Sequence, residues 1–284
     1  MNFYIVIPAH NEEKNIAQTL QSIVNQKLKP KKLVVVNDNS YDNTKQIIND
    51  FTKRFDWIQK VENKSSNAHF PGSKIINAFY AGYDTLDDKY DVICKFDADI
   101  VFEPDYLLSL KVNFEKNPRL GMVAGVCYVK KQKDWALENL NRNDHIRGAL
   151  KAYRKDCFLQ IGKLKRSIGW DTIDELLAQY YKWEILVDET LKVKHLKPTG
   201  LNYSPDAALL QGEATYRMRL GWLLTLIIGL KRGLVTQSFR VIWSYLKGYS
   251  IAKKNKAPFI VDKAQGKYLR SYRWRGILRW IKFK

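Results

Sequence analysis

Short apolar runs alternate with stretches of helical periodicity through about the first two hundred residues. The runs are rich in β-branched residues and apolar on both faces, as in Phe3-Tyr-Ile-Val-Ile-Pro-Ala9 and Lys32-Leu-Val-Val-Val-Asn37. Between these two runs, Ile16, Leu20 and Ile23 fall on one face of a helix. This alternation predicts an α/β domain in which helices cover a parallel sheet.

The same pattern continues to about residue 195. Helices are predicted from Asp42 or Asn43 towards Phe55, from Pro71, from Pro104 and over Lys155–Ile161. We predict further strands over Trp57–Glu62, Val92–Asp97, Gly121–Val129, Gly148–Arg154, Glu184–Val187 and Leu191–His195. The polar segment Lys130–Asn143 is predicted as a loop over the site.

Polar side chains accumulate where the first, second and fourth predicted strands end. The carboxyl ends of parallel strands share one edge of a sheet, so Asp38 and Asp97-Ala98-Asp99 are expected to serve one site. Strand alternation would point Asp97 and Asp99 the same way. Two carboxylates there are costly without a cation, and a divalent cation that also binds phosphate oxygens would suit them. The alternative is that these aspartates lie in a solvent-exposed turn after a strand and bind no ligand.

Acidic residues also open a predicted helix at Gly169-Trp-Asp-Thr-Ile-Asp-Glu175. Compensation of the helix dipole is enough to explain acids at this position. A carboxylate at a helix start that faces a cleft is also a plausible general base. No G-x-G-x-x-G or G-x-x-x-x-G-K-[ST] pattern occurs, which argues against a dinucleotide Rossmann site and a P-loop.

The overall charge requires a partner or a surface to explain it. The 284 residues carry a net charge of +19, with 45% hydrophobic and 27% charged residues, so a packed core is expected. Nucleic acid, anionic membrane and phosphorylated substrates all fit that charge. Cys94, Cys127 and Cys157 lack C-x-x-C spacing and indicate buried thiols in a reducing compartment. No secretory signal is visible at the N-terminus.

The composition changes after about residue 205. Cations there flank apolar and aromatic stretches, and Tyr268–Lys284 interleaves aromatic residues with Arg and Lys. This pattern suits a membrane interface, although helices packed on the catalytic domain would explain it too. The apolar run Leu220–Leu230 is too short to span a bilayer, which takes about 20 residues. We predict a catalytic domain over residues 1–205 and a basic helical region over residues 206–284.

Four motifs together resemble the family 2 glycosyltransferases, which are inverting enzymes with the GT-A fold. They occur in the expected order and with the expected spacing over roughly residues 1 to 200. The motifs are Ile5-Val-Ile-Pro-Ala-His-Asn-Glu-Glu13, Val34-Val-Val-Asn-Asp-Asn-Ser-Tyr-Asp-Asn-Thr44, Phe96-Asp-Ala-Asp99 and Gly169-Trp-Asp171. The resemblance implies an α/β fold with a Rossmann-like mixed sheet, followed here by the basic helical extension.

The resemblance also implies roles for individual residues. The nucleotide sugar would be bound by Pro8, Ala9, Asn11, Asp38, Asp97 and Ala98, with Asp38 at the base, which is often uracil in this family. Mn²⁺ or Mg²⁺ would be held by Asp99. His195 matches a position where some relatives place another metal ligand, although a structural role is the alternative.

The catalytic base is implied at the predicted helix start. Asp171 falls where the family has the Asp of a catalytic Glu-Asp pair, but Trp170 stands in place of the Glu. Asp174, three residues further on, lies on the same helix face and is the rival candidate.

These assignments describe a metal-dependent enzyme that transfers a sugar to a hydroxyl group. The expected donor is a UDP-sugar, and the expected acceptor is a glycan or a lipid-linked molecule in cell-surface polysaccharide or glycolipid synthesis. We expect a cytoplasmic protein bound peripherally to the inner, anionic face of the cell membrane. The alternatives are a nucleotidyltransferase and a basic nucleic-acid-binding protein. An acidic pocket argues against nucleic acid, and the missing Gly-rich basic loop argues against a nucleotidyltransferase.

Overall fold

The structure is a computed structural model that describes residues 1–65, 73–132, 134–138, 145–197 and 205–282. Two predicted features fall partly outside these residues. They are the start of the third helix at Pro71 and part of the loop predicted over Lys130–Asn143. The prediction of a loop is wrong for residues 130–131 and 134–137, which form strands that pair with each other.

The chain forms two compact units. The first contains residues 1–166 and 171–199, and the second contains residues 167–170 and 200–284. The domain boundary expected at residue 205 stays a prediction, because residues 198–204 lie outside the described part of the chain.

A mixed sheet forms the centre of the first unit, with strand order β3-β2-β1-β4-β8-β6-β9-β5 and β7 paired to β6. The strands are β1 (Phe3–Ala9), β2 (Lys32–Asp38), β3 (Ile58–Asn63), β4 (Val92–Phe96), β5 (Ile100–Phe102), β6 (Leu120–Lys131), β7 (Asp134–Leu137), β8 (Leu150–Arg154) and β9 (Glu184–His195).

The first half of this sheet is parallel, as the sequence predicts. β1 pairs with β2 and β4, and β2 pairs with β3, all in parallel. The carboxyl ends of β1, β2 and β4 therefore share one edge. The parallel sheet predicted from the alternation ends at β4, because β8 runs antiparallel to both β4 and β6. The whole sheet is therefore mixed, as the family resemblance implies. Because the start of β8 pairs with the end of β4, the residues just before β8 lie beside the end of β4.

Helices cover the sheet and supply the remaining core side chains. They are α1 (Ile16–Val24), α2 (Thr44–Arg54), α3 (Ser73–Tyr83), α4 (Tyr106–Lys116), α5 (Lys155–Gln160) and α6 (Trp170–Tyr180). Ile16, Leu20 and Ile23 on the apolar face of α1 are buried. All seven residues of β1 are also buried, as expected for a central strand with both faces covered.

β9 departs from the prediction of two short strands, because it is one continuous strand of 12 residues. Its pairing with β6 is irregular between Ala124 and Val126. A Cβ on Gly125 would lie 2.0 Å from the backbone oxygen of Leu191, so only glycine fits this irregularity. Polar Asp188, Glu189 and Thr190 interrupt the apolar pattern here, which explains why the sequence suggests a break.

The second unit is helical and contains α7 (Pro205–Arg217), α8 (Trp222–Val235), α9 (Phe239–Lys254) and α10 (Lys263–Lys282). Two glycines let α7 and α9 approach closely. A Cβ on Gly212 would lie 2.0 Å from the oxygen of Tyr245, and one on Gly248 would lie 1.9 Å from the oxygen of Leu209. Among the described residues, no helix combines the length and the apolar character that crossing a bilayer requires.

Candidate active site

A tight turn at Asp97, Ala98 and Asp99 joins β4 to β5. β4 ends at Phe96, so the expectation from strand alternation that Asp97 and Asp99 point the same way does not apply. Thr19 on α1 donates a hydrogen bond of 2.8 Å to the carbonyl oxygen of Ala98. That bond holds the turn against α1 and buries Ala98.

Asp97 is held by β4 and by the residue before β8. Lys95, which is buried inside β4, donates from its ammonium to the Asp97 carboxylate and, at 3.0 Å, to the carbonyl oxygen of Gly148. The backbone N–H of Asp97 donates to the oxygen of Ala149 at 3.1 Å. The Asp97 side chain is oriented by these contacts and stays 28% exposed, so a ligand can reach it.

Asp99 faces His195 across the β5–β9 pair. Ile100 is the register partner of His195, which places the residue before Ile100 next to the ring. His195 Nε2 lies 3.5 Å from a carboxylate oxygen of Asp99, and both side chains are buried. On the other side, Nδ1 lies 2.8 Å from Glu138, which directly follows β7.

These two carboxylates set the charge of the His195 ring. Burial acts to lower its pKa, but the hydrogen bonds and charges of Asp99 and Glu138 outweigh burial and raise the pKa to about 9. Once Nε2 gives up its proton to an incoming cation, the Asp99 oxygen and the His195 nitrogen face each other as two donors of the kind that Mn²⁺ accepts. A Glu behind the His is the usual outer partner of a metal-binding imidazole. The ligand roles of Asp99 and His195 stay predictions.

The loops after β1 and β2 brace each other at the same edge. Asn11 accepts from the backbone N–H of Tyr41 at 3.0 Å, and its own N–H donates to the Ser40 hydroxyl at 3.1 Å. His10 Nδ1 lies 2.6 Å from the carbonyl oxygen of Asp38. Asn11 adopts a φ of 54°, a left-handed conformation that Asn tolerates better than most residues.

Asp38 ends β2 as a buried carboxylate. It accepts from Asn63 Nδ2 at 2.8 Å and from the backbone N–H of Ser65 at 3.2 Å, both on the same oxygen. Pro8 and Ala9 end β1 beside it, since Ala9 pairs with Asn37. The pairing of β1 with β4 stops at Val6, two residues before Pro8, which cannot donate a hydrogen bond. Pro8, Ala9, Asn11 and Asp38 thus lie together at the carboxyl ends of β1 and β2, and their binding roles stay predictions.

Asp174 points into the core from α6. It is 1% exposed, lies 3.1 Å from the Lys151 ammonium and accepts a hydrogen bond from the Tyr153 hydroxyl. Burial is the main cause that raises the pKa of Asp174, and the neighbouring Glu175 adds to the rise while Lys151 opposes it. A carboxylate this deep, with its oxygens already engaged, cannot reach an acceptor. The geometry therefore favours Asp171 over Asp174 as the base.

Asp171 lies one turn before Glu175 and keeps 34% of its side chain exposed. His145 Nε2 lies 3.7 Å from Asp171, and His145 Nδ1 lies 3.0 Å from Glu175. Burial acts to raise the pKa of Asp171, but the hydrogen bond and charge of His145, together with the charge of Lys151, lower it overall. Asp171 is therefore an ionised carboxylate beside a cation.

Residues 145–149 connect the two groups of acidic residues. At one end, His145 contacts Asp171 and Glu175. In the middle, Arg147 forms an ion pair of 2.8 Å with Glu138, the residue behind His195. At the other end, the backbone oxygens of residues 148 and 149 bind Lys95 and Asp97. One short segment thus contacts both the turn at Asp97–Asp99 and the start of α6.

Sequence reasoning did not find Glu138, His145, Glu175 or Lys151. Glu175 is predicted only as one of the acids that open a helix, and the other three belong to no motif. Lys151 and His145 meet α6 from β8 and from the residues before it, whereas Glu138 meets His195 because β6 pairs with both β7 and β9. One signal was present, because Lys95 and Lys151 each lie inside an apolar strand. A lysine there requires a buried carboxylate partner.

Curated relatives match only part of this chain. The probable glycosyltransferase YdaM of Bacillus subtilis is 37% identical over 123 residues, which are 43% of this chain and 28% of the relative. The poly-beta-1,6-N-acetyl-D-glucosamine synthase of Staphylococcus epidermidis is 30% identical over 123 residues, 42% of this chain and 27% of the relative. The matched segment thus spans little more than a quarter of the length of these relatives.

Solved structures share the fold at low sequence identity. S. aureus TarS 1-349 in complex with UDP-GlcNAc has a TM-score of 0.56 at 17% identity, over 78% of this chain and 65% of that one. The mannosyltransferase PcManGT of Pyrobaculum calidifontis, in complex with GDP-Man and Mn²⁺, has a TM-score of 0.54 at 12% identity, over 97% and 80%. The curled mixed sheet with its helices is the GT-A fold, as predicted.

The family assignment rests on the match of the whole N-terminal region. The sequence profile of Glycosyl transferase family 2 covers residues 4–165, which include β1 to β8 and the turn at Asp97–Asp99. This match extends over more than half of the 284 residues. The chain belongs to glycosyl transferase family 2.

Proposed function

We propose that this protein transfers a sugar from a nucleotide-diphosphate sugar to a hydroxyl acceptor with inversion at the anomeric carbon. The observation that carries the proposal is the contact of residues 145–149 with both acidic groups. Through this segment a donor-side pair, Asp99 and His195, and a partly exposed carboxylate, Asp171, belong to one connected arrangement. Family membership supports the same chemistry.

The donor side would bind the nucleotide diphosphate. Asp38 would accept a hydrogen bond from the base, and Pro8, Ala9 and Asn11 would line the pocket at the end of β1. Asp97 and Ala98 would lie against the ribose and diphosphate. UDP is the nucleotide we favour, because a buried carboxylate suits the N–H of uracil and because TarS 1-349 was solved with UDP-GlcNAc.

Asp99 and His195 would hold Mn²⁺ or Mg²⁺. The bound ion would supply positive charge beside the departing diphosphate, where negative charge accumulates. Structural relatives solved with Mn²⁺ support divalent metal use. Glu138 would keep the His195 ring oriented towards the ion through the contact at Nδ1.

Asp171 would act as the general base. The acceptor hydroxyl would lose its proton to the Asp171 carboxylate while the hydroxyl oxygen forms a bond to the anomeric carbon. The bond from that carbon to the diphosphate oxygen would break, and its electron pair would stay on the diphosphate. Attack opposite the leaving group inverts the centre, so no second carboxylate nucleophile is needed. Asp174 has no part in this step, because it is buried against Lys151.

We also propose a glycan or lipid-linked acceptor in cell-surface polysaccharide synthesis, and a site of action at the inner face of the cell membrane. The similarity to a polysaccharide synthase supports the pathway. The second unit supports the membrane, since Leu234, Val235, Phe239 and Trp243 form an exposed apolar corner between α8 and α9. Exposed Lys231, Arg240 and Lys247 flank this corner, as expected for a surface that meets anionic lipid.

The test is nucleotide release from UDP-GlcNAc, UDP-glucose, UDP-galactose and GDP-mannose with Mn²⁺. We expect release from one donor, lost with a chelator and in Asp99→Ala. Asp105→Ala, at an exposed carboxylate near the start of α4, is the matched control and should keep activity. If the wild type neither releases nucleotide nor binds UDP or GDP in calorimetry with Mn²⁺, the proposal is wrong.

A further inference from the structure

We infer that His145 and Glu175 are positioning residues for Asp171, so that the three form an Asp–His–Glu relay on the acceptor side of the site. The inference deepens the proposed function and rests on it. Nδ1 of the His145 ring lies 3.0 Å from a Glu175 carboxylate oxygen, and Nε2 lies 3.7 Å from a carboxylate oxygen of Asp171. Asp171 and Glu175 lie four residues apart on α6, hence on one face, with the ring against both.

Glu175 is a fixed anchor for the ring. It is 6% exposed, and its second oxygen accepts from the backbone N–H of Ile146 at 2.9 Å and from the Lys151 ammonium at 2.7 Å. Lys151 also donates to the backbone oxygen of Asp171 at 2.6 Å, which ties the start of α6 to β8. The orientation of His145 is therefore set by groups that have little freedom to move.

Exposure increases along the relay from the core to the surface. Lys151 is fully buried, Glu175 is nearly so, the His145 side chain is 16% exposed, and the Asp171 side chain is 34% exposed. Asp171 is thus the open end of a chain of charged groups that begins in the core. A ligand can reach this carboxylate while the groups behind it stay out of water.

Both nitrogens of His145 face carboxylates. Nδ1 lies within hydrogen-bond distance of Glu175 at 3.0 Å, and Nε2 lies within ion-pair distance of Asp171 at 3.7 Å. Burial acts to lower the pKa of His145, but Asp171 and Glu175 outweigh it and raise the pKa to about 9, against the opposing charge of Lys151. An imidazolium beside Asp171 keeps that carboxylate ionised and turned in one direction. These are the two properties that a base needs before the acceptor arrives.

Two variants separate charge from hydrogen bonding. His145→Gln keeps a donor near Asp171 but removes the positive charge, whereas His145→Ala removes both. Without the cation the pKa of Asp171 should rise, so the acid limb of kcat/KM should move to higher pH by about one unit in either variant. Glu175→Gln should lower kcat in the same direction as His145→Ala. Asp156→Asn, at an exposed acid on α5, controls for a general change of charge.

The experiment measures nucleotide release with water as acceptor, from whichever nucleotide sugar of the panel the wild type turns over, across pH 3 to 9, a range that includes the acid limb set by Asp171. We expect kcat to fall about tenfold or more in His145→Ala, with UDP affinity in calorimetry within about twofold of the wild type. Thermal unfolding identifies any variant that does not fold, and His145→Gln then carries the test through its pH profile.

If folded His145→Gln keeps the wild-type kcat and the acid limb of its kcat/KM profile stays at the wild-type pH, the inference is wrong. This holds even if Asp171→Asn is inactive. In that case the proposed function would stand. By contrast, a wild type that neither turns over nor binds any nucleotide sugar would remove the proposed function itself. The two failures are therefore distinguishable.

Discussion

Lys95 on β4 and Lys151 on β8 are direct cross-strand partners in the centre of the sheet, and both side chains are buried. Two ammonium groups opposite each other repel. Each is compensated by a different set of acids, because Lys95 binds Asp97 whereas Lys151 binds Asp174 and Glu175. Through this cross-strand pair, Asp97 on one side and Asp174 and Glu175 on the other are held by neighbouring residues in the core of the sheet.

The first prediction concerns the stability that Lys151 provides. Lys151→Met should lower the free energy of unfolding by about 3–5 kcal/mol, because it leaves Asp174 and Glu175 buried without their cation. Urea unfolding followed by tryptophan fluorescence measures the change. Lys130→Met, at an exposed lysine of β6, should change the same quantity by less than about 0.5 kcal/mol. Equal effects of the two substitutions would contradict the role given to Lys151.

The second prediction concerns Glu138 as the support of His195. Glu138→Gln should weaken Mn²⁺-dependent UDP binding about 10- to 100-fold, because the amide holds the imidazole less firmly than the carboxylate does. Isothermal calorimetry with UDP and Mn²⁺ measures the change. Asp134→Asn lies in the same hairpin at an exposed position and should bind as the wild type does. Unchanged affinity in Glu138→Gln would leave Glu138 without this role.

The third prediction concerns pH and His145. Folding raises the pKa of His145 from 6.5 to about 9, so the folded state binds this proton more tightly than the unfolded state. The resulting stabilisation is complete below pH 6.5 and is lost as the pH rises through 9. The difference in the free energy of unfolding between wild type and His145→Gln should therefore reach up to about 3 kcal/mol at pH 6 and shrink towards pH 9.5. A difference that grows with pH would have the wrong sign.

The fourth prediction concerns the crossing of α7 and α9. Gly248→Ala should lower the free energy of unfolding by about 1–3 kcal/mol, because a Cβ there would overlap the oxygen of Leu209. Gly276→Ala, in α10, is the matched substitution with no described atom within 4 Å of the new Cβ. It should instead stabilise by up to about 1 kcal/mol, since alanine favours a helix more than glycine does. Urea unfolding of both variants measures the two opposite shifts.

The fifth prediction concerns the apolar corner between α8 and α9. Phe239 is 89% exposed and Trp243 is 70% exposed, one helical turn apart on α9. Co-sedimentation should show binding to phosphatidylcholine vesicles that contain phosphatidylglycerol, weakened by added salt because screening reduces charge attraction. Phe239→Asp should reduce that binding several-fold, whereas Leu159→Asp, on α5, should not. Equal binding of wild type and Phe239→Asp would exclude this corner as the docking surface.

The sequence predicts most elements of the fold and the sheet edge at which Asp38 and Asp97–Asp99 lie. Strands β1, β2 and β4 are apolar on both faces, and their polar ends carry Asp38 and Asp97–Asp99, so local pattern and parallel-sheet geometry suffice. Glu138 and His145 escape prediction for a physical reason. Glu138 follows β7 and meets His195 because β6 pairs with both β7 and β9, while His145 precedes β8 and meets Asp171 on α6. Each contact joins residues well separated in the chain, which no local period encodes.

The strand β9 illustrates the same limit within one element. The residues around Asp188, in the middle of the strand, are polar, and the register with β6 shifts between Ala124 and Val126. The alternation of apolar and polar side chains that marks a strand is therefore interrupted around Asp188, although the strand itself continues. Gly125 is the sequence signal that accompanies this shift, because no larger residue fits against Leu191.

The three cysteines of the first unit allow its local unfolding to be measured by thiol labelling. Cys94, Cys127 and Cys157 are free and buried on β4, β6 and α5, and burial raises the pKa of each thiol. A thiol reagent should therefore react only when a segment opens, at a rate that reports the free energy of that opening. The second unit contains no cysteine, so thiol labelling does not report its unfolding. A single cysteine added on the surface of the second unit would carry a probe while the native thiols stay unlabelled.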